Sequence, residues 1–515
     1  MRDKMRLLEK IKKNTEMYPE RIAVFNKSLS TDSNLTYQQL DLYSGRLACY
    51  IIRNIRSKKE PIIVYGHKSP YMLVAFLACV KAGSPYCPID ISNPHERVVD
   101  IIKEVKPSIV FSLEDLDYQH EMMITLEKVK MICSESSYDK DIVKLDELEE
   151  SDVFYIIFTS GSTGKPKGVE VTYGCLNHFL LWTNEIVERF SIEKPIFLNQ
   201  APFSFDLSVM DLYTNLYMGG TLIMLNKDVQ MSFPLLISAL EESECSVWVS
   251  TPSFADMCLS EKKFSNRLMP ELKVFLFCGE VLTNATALKL MERFPETVII
   301  NTFGPTETTV AVTEQYITTE LAEKQDALPI GRPNKWTQIQ IWNSEGKEVP
   351  SNQLGEIIII GDTVAKGYYN NSEETLRSFI NININGKQLR AYKTGDKGFF
   401  DLNGILHYSG RMDKQIKLNG YRIEIGDIEK NLTRLTEISN AAVLPKYKEN
   451  KVRSLTAFVT LYDSPDDERA VVREIKSELR TLIPEYMIPK KIVILPIMPM
   501  NINGKIDRKK LEEMV

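Results

Sequence analysis

The chain has 515 residues, enough for more than one domain, and its apolar fraction of 43% and charged fraction of 26% are those of an ordinary globular protein. A net charge of −6 gives no general case for nucleic-acid binding, and no apolar run approaches the roughly 20 residues of a membrane span. The eight cysteines lie apart without a Cys-x-x-Cys pair, which argues against a zinc site or a disulfide framework and fits a reducing cytoplasm.

Short apolar runs alternate with stretches of helical periodicity through most of the chain before residue 333. Each short run is typical of a buried strand, and each longer stretch is typical of a helix packed on a sheet. Alternation of this kind predicts α/β layers with largely parallel sheets. The predicted strands are 61–65, 153–158, 246–250, 274–278 and 298–303, and the predicted helices are 71–82, 253–259 and 284–294.

A different pattern begins near residue 333, where short strands and turns predict a β-rich subdomain. After Arg411 we expect a smaller α+β unit. Residues 414–515 carry 19 Lys and Arg against 15 Asp and Glu, a net charge of +4, which leaves −10 for residues 1–413. This difference is either statistical scatter or a basic face for an acidic partner. The predicted segments are strands and turns at 338–342, 355–360 and 398–408, then strands at 415–418, 441–445 and 455–461 with helices at 424–435 and 468–482.

Residues 158–168 read Phe-Thr-Ser-Gly-Ser-Thr-Gly-Lys-Pro-Lys-Gly and follow a predicted strand. Glycines let backbone N–H groups approach phosphate oxygens, hydroxyls add donors, and lysines add positive charge. The run is not a Walker P-loop, because Gly161 and Gly164 are too close together and Pro166 stands where Ser or Thr is needed. Taken alone, the run is either a phosphate-binding loop or a flexible surface loop.

This loop resembles the phosphate loop of the adenylate-forming superfamily, which contains acyl-CoA synthetases, luciferases and the adenylation domains of nonribosomal peptide synthetases. Six further motifs stand in the family's order, and the similarity covers nearly the whole chain. A single motif could arise by chance, but seven in order could not. The six are Leu35-Thr36-Tyr37, Lys81-Ala82-Gly83-Ser84-Pro85-Tyr86-Cys87-Pro88-Ile89-Asp90, Phe303-Gly304-Pro305-Thr306-Glu307-Thr308, Tyr392-Lys393-Thr394-Gly395-Asp396, Gly410-Arg411-Met412-Asp413-Lys414-Gln415-Ile416-Lys417 and Asn503-Gly504-Lys505-Ile506-Asp507-Arg508.

The resemblance implies a fold, a domain division and a reaction. Residues 1–411 would form an adenylation core of stacked α/β sheets with a β-rich subdomain, and residues 414–515 a small mobile α+β domain. The hinge would lie at residues 412–413, with Asp413 as the pivot. In the family, a carboxylate attacks the α-phosphate of ATP to give an acyl-adenylate and pyrophosphate. The thiol of a phosphopantetheine arm, or of CoA, then takes the acyl group.

The same resemblance implies the nucleotide site. Glu307 would hold Mg2+ on the phosphates, Asp396 would accept both ribose hydroxyls, and Lys505 would bridge the substrate carboxylate and the α-phosphate. Without the family, Glu307 would be interpreted as an exposed turn acid and Lys505 as a solvated surface lysine. The predicted catalytic residues are Lys505, Thr163 and Glu307, and the predicted ATP-binding residues are Thr159, Ser160, Gly161, Ser162, Thr163, Gly164, Lys167, Asn301, Thr302, Thr306, Asp396, Arg411 and Lys505.

The class of acid is indicated by Asp206, which interrupts an apolar segment. A carboxylate is costly to bury unpaired, and an ammonium partner resolves that cost. In amino-acid-activating members of the family, an aspartate at this place binds the α-amine of the substrate. The other predicted pocket residues offer no second charge and should leave a small apolar space: Leu207, Met210, Ser253, Leu276, Cys278, Thr302, Val310 and Ala311.

The sequence segments around Asp206, Ser253 and Cys278 resemble those of the family members that activate D-alanine for a carrier protein in teichoic acid synthesis. Phe303 departs from the tyrosine usual before Gly-Pro-Thr-Glu. The first hypothesis is a stand-alone D-alanine ligase, with ATP and Mg2+, loading a separate acidic phosphopantetheinylated carrier. The second is an adenylation enzyme for another small amino acid in a biosynthetic pathway. The third is a nucleotide-binding protein without catalysis. No signal peptide is apparent, so a cytoplasmic enzyme with no nucleic-acid partner and no membrane insertion is expected.

Overall fold

The computed structural model describes residues 5–28, 33–135, 143, 148–161, 166–324, 327–413, 415–448, 451–463, 467–500 and 506–514. The chain divides into two compact units. Unit 1 comprises residues 1–91, 105–157 and 168–410, and unit 2 comprises residues 92–104, 158–167 and 411–515. No helix in the described ranges combines the length and the apolar character needed to cross a bilayer.

Helices and strands occur in both units. The helices are α1 Leu7–Met17, α2 Tyr37–Asn54, α3 Pro70–Lys81, α4 His95–Val105, α5 Leu126–Cys133, α6 Tyr173–Glu188, α7 Leu207–Met218, α8 Lys227–Met231, α9 Phe233–Glu242, α10 Pro252–Cys258, α11 Asn284–Arg293, α12 Thr319–Lys324, α13 Ser372–Ser378, α14 Ile425–Leu432, α15 Glu468–Leu482 and α16 Arg508–Glu512. The strands before residue 320 are β1 Ile22–Lys27, β2 Ser33–Thr36, β3 Ile62–Tyr65, β4 Tyr86–Ile89, β5 Val110–Ser112, β6 Met123–Thr125, β7 Val153–Thr159, β8 Lys167–Thr172, β9 Ile196–Asn199, β10 Thr221–Leu225, β11 Val247–Ser250, β12 Val274–Phe277, β13 Val298–Phe303 and β14 Thr313–Ile317. The later strands are β15 Arg332–Pro333, β16 Thr337–Trp342, β17 Gly355–Gly361, β18 Gly367–Tyr368, β19 Phe379–Ile384, β20 Lys387–Phe400, β21 Leu406–Arg411, β22 Gln415–Leu418, β23 Tyr421–Glu424, β24 Ile438–Lys448, β25 Lys451–Leu461 and β26 Lys491–Ile494.

Two large sheets dominate unit 1. One has nine strands in the order β15-β14-β13-β12-β11-β9-β10-β1-β2, and the other has seven in the order β18-β8-β7-β4-β3-β5-β6. The neighbours from β13 through β12, β11, β9 and β10 to β1 are all parallel. Strands buried on both faces read as continuous apolar runs, which is why β11 and β12 were predictable from the sequence. The predicted α/β class is confirmed.

The helix α3 explains how the two sheets share a core. Every residue of α3 except Tyr71 is buried, so the helix is apolar on all sides. It contacts β1 and β2 of the nine-stranded sheet and β3 and β4 of the seven-stranded sheet. A helix that faces strands from both sheets has no polar side to present, and its sequence Tyr71–Val80 carries no charge.

The β-rich part of unit 1 contains β16, β17, β20 and β19 as antiparallel neighbours, with β21 paired to β20. The predicted segment 398–408 spans two strands and the turn between them, since β20 ends at Phe400 and β21 begins at Leu406. Asp401 explains the break: its Oδ1 accepts the backbone N–H groups of Asn403 at 2.9 Å and Ile405 at 2.8 Å. Aspartate favours turns because its side chain bonds the backbone in this way.

Unit 2 contains the hairpin β22–β23, the sheet β24-β25-β26 and the helices α14 and α15. The helix predicted at 424–435 runs from Ile425 to Leu432, and the strand β23 before it was not predicted. Its signal was present, because Asn419-Gly420 stands between the two strands with positive φ at both residues. Asn-Gly between apolar runs is a strong hairpin signal. The domain boundary and hinge inferred from the resemblance stay predictions.

Candidate active site

Most of the predicted pocket residues follow the ends of four neighbouring parallel strands of unit 1. Asp206 and Leu207 come after β9, Ser253 after β11, Cys278 after β12, and the segment 304–311 after β13. Because parallel strands end at the same edge of a sheet, the topology places these residues along one edge. Ligands in open α/β sheets bind in crevices at this edge. The sheet order therefore supports one pocket built from segments that are far apart in the sequence.

Asp206 lies at the start of α7 and is only 6% exposed. The positive end of the helix dipole stabilises a carboxylate at this position. Leu207 and Met210, on the first turn of α7, are each 1% exposed. Burial and, after it, the negative charge of Asp206 raise the pKa of the Tyr155 phenol. Asp206 is therefore a buried carboxylate among buried apolar residues, and its role as anchor of the substrate amine stays a prediction.

Cys278 lies directly after β12, is 3% exposed, and places its Sγ 3.7 Å from the backbone oxygen of Val310. Leu276 on β12 is 1% exposed, and Thr302 on β13 donates from Oγ1 to the carbonyl of Phe277 at 2.9 Å. These contacts connect the ends of β12 and β13 with the segment that follows β13. The four predicted pocket residues in this region are all buried: Leu276, Cys278, Thr302 and Val310.

The segment after β13 turns sharply. Thr309 and Val310 have φ of 62° and 68°, a conformation unusual for β-branched residues and one that stores strain. A Cβ on Gly304 would lie 2.6 Å from the Cα of Ala311, so only glycine permits this close approach. Val310 is 2% exposed and Ala311 is fully buried. Strain held by surrounding packing is common at functional sites.

Ser253 is held by Glu280, a residue to which sequence reasoning gave no role. The Ser253 hydroxyl donates to Glu280 Oε2 at 2.5 Å, and the Ser253 backbone N–H approaches the same oxygen at 3.2 Å. Glu280 is only 8% exposed. The Ser253 hydroxyl is thus oriented by a buried carboxylate. Local pattern could not reveal this, because the two residues are 27 positions apart.

Glu307 is fully buried in a short 3-10 helix, Thr306–Thr308, so it is not an exposed turn acid. Tyr368 donates its hydroxyl to Glu307 Oε1 at 2.7 Å, and the hydroxyl of Tyr392 lies 3.3 Å from that of Tyr368. Thr306 is 7% exposed. Sequence reasoning missed Tyr368 because nothing in its local pattern points to a partner 61 positions away.

Asp396 is presented by an irregularity in the pairing of β17 with β20. Glu356 pairs with Lys397 and Ile358 with Lys393, so three residues of β20 face one residue of β17. Gly395 has φ of 68°, and its N–H donates to Glu356 Oε1 at 2.9 Å. Such bulges re-aim side chains, often next to active sites. The Asp396 side chain is 1% exposed.

Asn301 precedes these segments on β13 and is 3% exposed. Its Nδ2 donates to the carbonyl of Pro329 at 2.9 Å. The amide therefore fixes the chain after α12 to the nine-stranded sheet. The structure gives Asn301 a bond that holds the fold, and its predicted contact with ATP stays a prediction.

The described parts of the phosphate loop, Thr159–Gly161 and Lys167, belong to unit 2. Ser160 is 5% exposed; its Oγ donates to the carbonyl of Arg422 at 2.8 Å and accepts the N–H of Glu424 at 3.3 Å. The loop is thus bonded to the backbone of β23. The predicted residues Ser162, Thr163, Gly164 and Lys505 lie outside the described residues.

Arg411 and Asp413 form a two-pronged ion pair in unit 2. Arg411 Nε lies 2.9 Å from Asp413 Oδ1, and Nη2 lies 2.6 Å from Oδ2. Burial acts to raise the pKa of Asp413, but the hydrogen bonds and charge of Arg411 outweigh it and hold that pKa below its usual value. The guanidinium predicted to reach the nucleotide is engaged with the predicted pivot.

Two family models match the chain: AMP-binding enzyme over residues 11–369, and AMP-binding enzyme C-terminal domain over residues 427–505. The chain is 42% identical to the D-alanine–D-alanyl carrier protein ligase of Bacillus licheniformis over 99% of this chain and 100% of that protein. It is 43% identical to the ligase of the same name from Listeria monocytogenes, over 94% of each.

Solved structures give the same fold. A nonribosomal peptide synthetase protein with adenylation and PCP domains, bound to a vinylsulfonamide inhibitor, matches with a TM-score of 0.83 at 23% identity, over 99% of this chain and 84% of that one. The Vibrio cholerae adenylation domain AlmE, in complex with glycyl-adenosine-5'-phosphate, matches with a TM-score of 0.79 at 22% identity, over 99% and 97%. At these identities the likeness supports the fold alone.

Proposed function

Because this chain belongs to the AMP-binding enzyme family, we propose that it activates D-alanine with ATP and passes it to the thiol of a separate phosphopantetheinylated carrier protein. It is an adenylating ligase. Full-length relatives that carry this ligase name support the substrate and the carrier. The product of the first step is D-alanyl-adenylate with pyrophosphate, and the product of the second is a D-alanyl thioester with AMP.

The observation that carries the proposal is the buried carboxylate of Asp206 at the start of α7. A substrate ammonium that docks there meets an opposite charge in a low-dielectric setting, where the attraction is much stronger than in water. The predicted pocket residues Leu207, Met210 and Cys278 are buried and carry no formal charge. An amino acid with a small apolar side chain suits this pocket.

Adenylation requires little covalent chemistry from the protein, because the substrate carboxylate is itself the nucleophile. Phosphoryl-group chemistry depends mainly on positioning and charge stabilisation. We assign the ribose hydroxyls to Asp396 and the developing charge at the α-phosphate to Lys505. Thr159, Ser160, Gly161, Ser162, Thr163, Gly164 and Lys167 would face the β- and γ-phosphates, as the family pattern suggests.

Glu307 is the residue that would hold Mg2+. Among the described residues, Glu307 is not part of a cluster of three or more potential metal ligands. One buried carboxylate fits Mg2+ nevertheless, because this ion is usually bound by one or two carboxylates together with substrate phosphates. When bound, the ion would neutralise phosphate charge, and Tyr368 would keep the Glu307 carboxylate in place.

The second step needs a carrier that reaches the enzyme from solution. Residues 414–515 carry +4 and residues 1–413 carry −10, so an acidic carrier would be attracted to the C-terminal part of the chain. The relatives' ligase name agrees with a carrier partner. We place the enzyme in the cytoplasm, where ATP is available, and its product in the D-alanylation of teichoic acid.

A pyrophosphate-exchange panel tests the function. Labelled pyrophosphate should enter ATP when D-alanine is added, and much less with glycine, L-alanine or D-serine. Exchange with another small amino acid alone would move the enzyme to a different biosynthetic pathway. Exchange with none would leave a nucleotide-binding protein without catalysis. Transfer of labelled D-alanine to a purified carrier protein then tests the second step.

Replacing Cys278 by alanine should weaken the preference for D-alanine over L-alanine. The thiol lies against the carbonyl of Val310, and its loss opens space beside the substrate. A change of this size is worth roughly 1–3 kcal/mol of discrimination. The measurement is the ratio of kcat/KM for the two enantiomers in the exchange assay.

Cys258, on α10, is another buried cysteine, and Cys258→Ala provides the matched control. It should lower stability without changing the ratio. An unaltered D/L ratio in the Cys278 variant would mean that this cysteine has only a packing role.

Replacing Asp413 by proline should block transfer to the carrier while sparing pyrophosphate exchange. Proline fixes φ near −65°, so a backbone pivot at this residue could no longer turn. The control Asp413→Ala removes both bonds from Arg411 but leaves the backbone free, and should support both steps. Normal carrier loading by the proline variant would exclude Asp413 as the pivot.

A further inference from the structure

Unit 1 contains a buried lysine to which the reaction gives no role. Lys68, shortly after β3, is fully buried. Its Nζ donates to the carbonyl of Asn199 at 2.8 Å and to that of Gln200 at 2.7 Å. Burial lowers the pKa of Lys68 to about 7, and the charges of Asp211 and Asp90 oppose that change. An ammonium group is costly to bury, and the amine of Lys68 is buried with its hydrogen bonds made to the end of β9.

The two bonds from Lys68 end the strand. Successive backbone carbonyls in a strand point to opposite sides, so one ammonium cannot bond two adjacent carbonyls within regular β structure. β9 ends at Asn199, where this pair begins. Gln230 Nε2 also donates to the Gln200 carbonyl, at 3.1 Å. Lys68 therefore holds the backbone at the point where the chain leaves the sheet before α7.

Asn199 connects this strand end to α7. Its Nδ2 donates to Asp211 Oδ1 at 2.8 Å, and both residues are fully buried. In the described part of the chain, Asp211 Oδ2 makes no hydrogen bond. Burial raises the pKa of Asp211 well above its usual value, and Lys68 opposes this. Lys68 and Asp211 are thus two buried ionisable groups that interact electrostatically, and Asn199 is hydrogen-bonded to both of them.

The segment 200–206 lies between these attachment points and ends with Asp206. Its start is bonded to Lys68, and the helix that continues from its end is bonded through Asp211. We call Lys68, Asn199 and Asp211 the tether. His67, which precedes Lys68, is hydrogen-bonded to Asp90, with Nδ1 of His67 2.6 Å from Oδ2 of Asp90. Nε2 of His67 accepts the backbone N–H of Lys227.

We propose that Lys68 is a positioning residue for amino-acid binding: through the tether it holds segment 200–206 so that the Asp206 carboxylate meets the substrate ammonium. This inference rests on the proposed function. Lys68 itself contacts backbone, not substrate. If the tether only stabilised the fold, its loss would lower stability and would affect D-alanine and ATP alike.

The first variant is Lys68→Met, which keeps an unbranched side chain one atom shorter and removes the donor. We expect KM for D-alanine to rise roughly 10- to 100-fold, as when a binding group is displaced by about 1 Å, with KM for ATP nearly unchanged. The double variant Lys68→Met/Asp211→Asn removes both ionisable groups and should recover Tm, because replacing both partners of a buried ionisable pair is often neutral for stability. It should not recover KM for D-alanine.

Two further variants separate positioning from stability. Lys81→Met removes another buried lysine, bonded to Asp41 and Ser44 on α2, and should lower Tm without changing the ratio of the two KM values. Asn199→Ala cuts the connection to α7 while keeping both Lys68 and Asp211. It should raise KM for D-alanine even if Lys68→Met fails to fold. Recovery of KM in the double variant, or an unchanged KM in Asn199→Ala, would overturn the inference.

Amide hydrogen exchange of residues 200–206 provides a readout that does not need activity. Exchange in this segment should accelerate in Lys68→Met and Asn199→Ala but not in Lys81→Met. If the unaltered enzyme shows no D-alanine-dependent exchange of pyrophosphate, the proposed function fails, and the amide rates still decide the tether. Unchanged amide rates would refute the tether whatever the substrate is.

Discussion

Replacing Asp206 by asparagine is expected to lower kcat/KM for D-alanine by about 10²–10⁴. Removing one partner of a buried ion pair costs about 3–5 kcal/mol, and each 1.36 kcal/mol is a factor of ten in rate. The carboxylate is buried at the start of α7, so water cannot replace the lost charge. KM for ATP should change little. Pyrophosphate exchange with varied D-alanine and varied ATP measures both effects.

The matched control for Asp206 is Asp467→Asn. Asp467 also begins a helix, α15, and its Oδ1 accepts the N–H groups of Arg469 and Ala470. It is exposed, and asparagine caps helices about as well as aspartate. This variant should keep normal exchange. If Asp206→Asn activates D-alanine as well as the unaltered enzyme does, the carboxylate is not the amine anchor, and another residue must supply the charge.

Replacing Lys505 by alanine is expected to slow adenylation by about 10²–10³, the usual loss when one group that stabilises transition-state charge is removed. Lys505 lies outside the described residues, and the expectation rests on the Asn503-Gly504-Lys505 motif. The match to the AMP-binding enzyme C-terminal domain ends at this residue. ATP should still bind, so the loss should appear in kcat and not in KM for ATP. Pyrophosphate exchange measures it.

Lys509→Ala tests whether any lysine near the end of the chain matters. Lys509 lies on α16 and is exposed. Its removal should leave adenylation unchanged. Transfer from chemically made D-alanyl-adenylate to the carrier should survive in Lys505→Ala, because that step begins after the α-phosphate has reacted. Undiminished exchange in Lys505→Ala would exclude this lysine from the first step.

The parts of the fold that follow simple periodicity could be predicted from the sequence. The strand at 298–303 and the helix at 468–482 have the predicted bounds at both ends. β13 begins with the apolar β-branched run Val298-Ile299-Ile300, and α15 has a capping aspartate and one apolar stripe. Asp206 could be found because a charge in an apolar segment is conspicuous. The family resemblance supplied the roles that no local pattern contains.

The supporting contacts could not be predicted, because each joins residues that are distant in the sequence. Tyr368 and Glu307 are 61 positions apart, and Lys68 and Asn199 are 131 apart. Lys68 follows a short strand and would ordinarily be taken for a surface residue. Its burial depends on packing among strands of two sheets. The strand β23 was missed for a different reason, since the Asn419-Gly420 turn was visible and was not used.

The bond from Ser160 to the backbone of β23 has a thermodynamic consequence. A hydroxyl has one proton to donate, and that of Ser160 is given to the carbonyl of Arg422. The same proton cannot be given to a phosphate oxygen of ATP. If Ser160 binds phosphate as proposed, the nucleotide and the backbone of β23 compete for its hydroxyl. Binding of either one must then lower the affinity of Ser160 for the other by the same factor. Arrival of ATP would then release this contact, and departure of pyrophosphate would allow it to form again, which gives the two half-reactions an order in time.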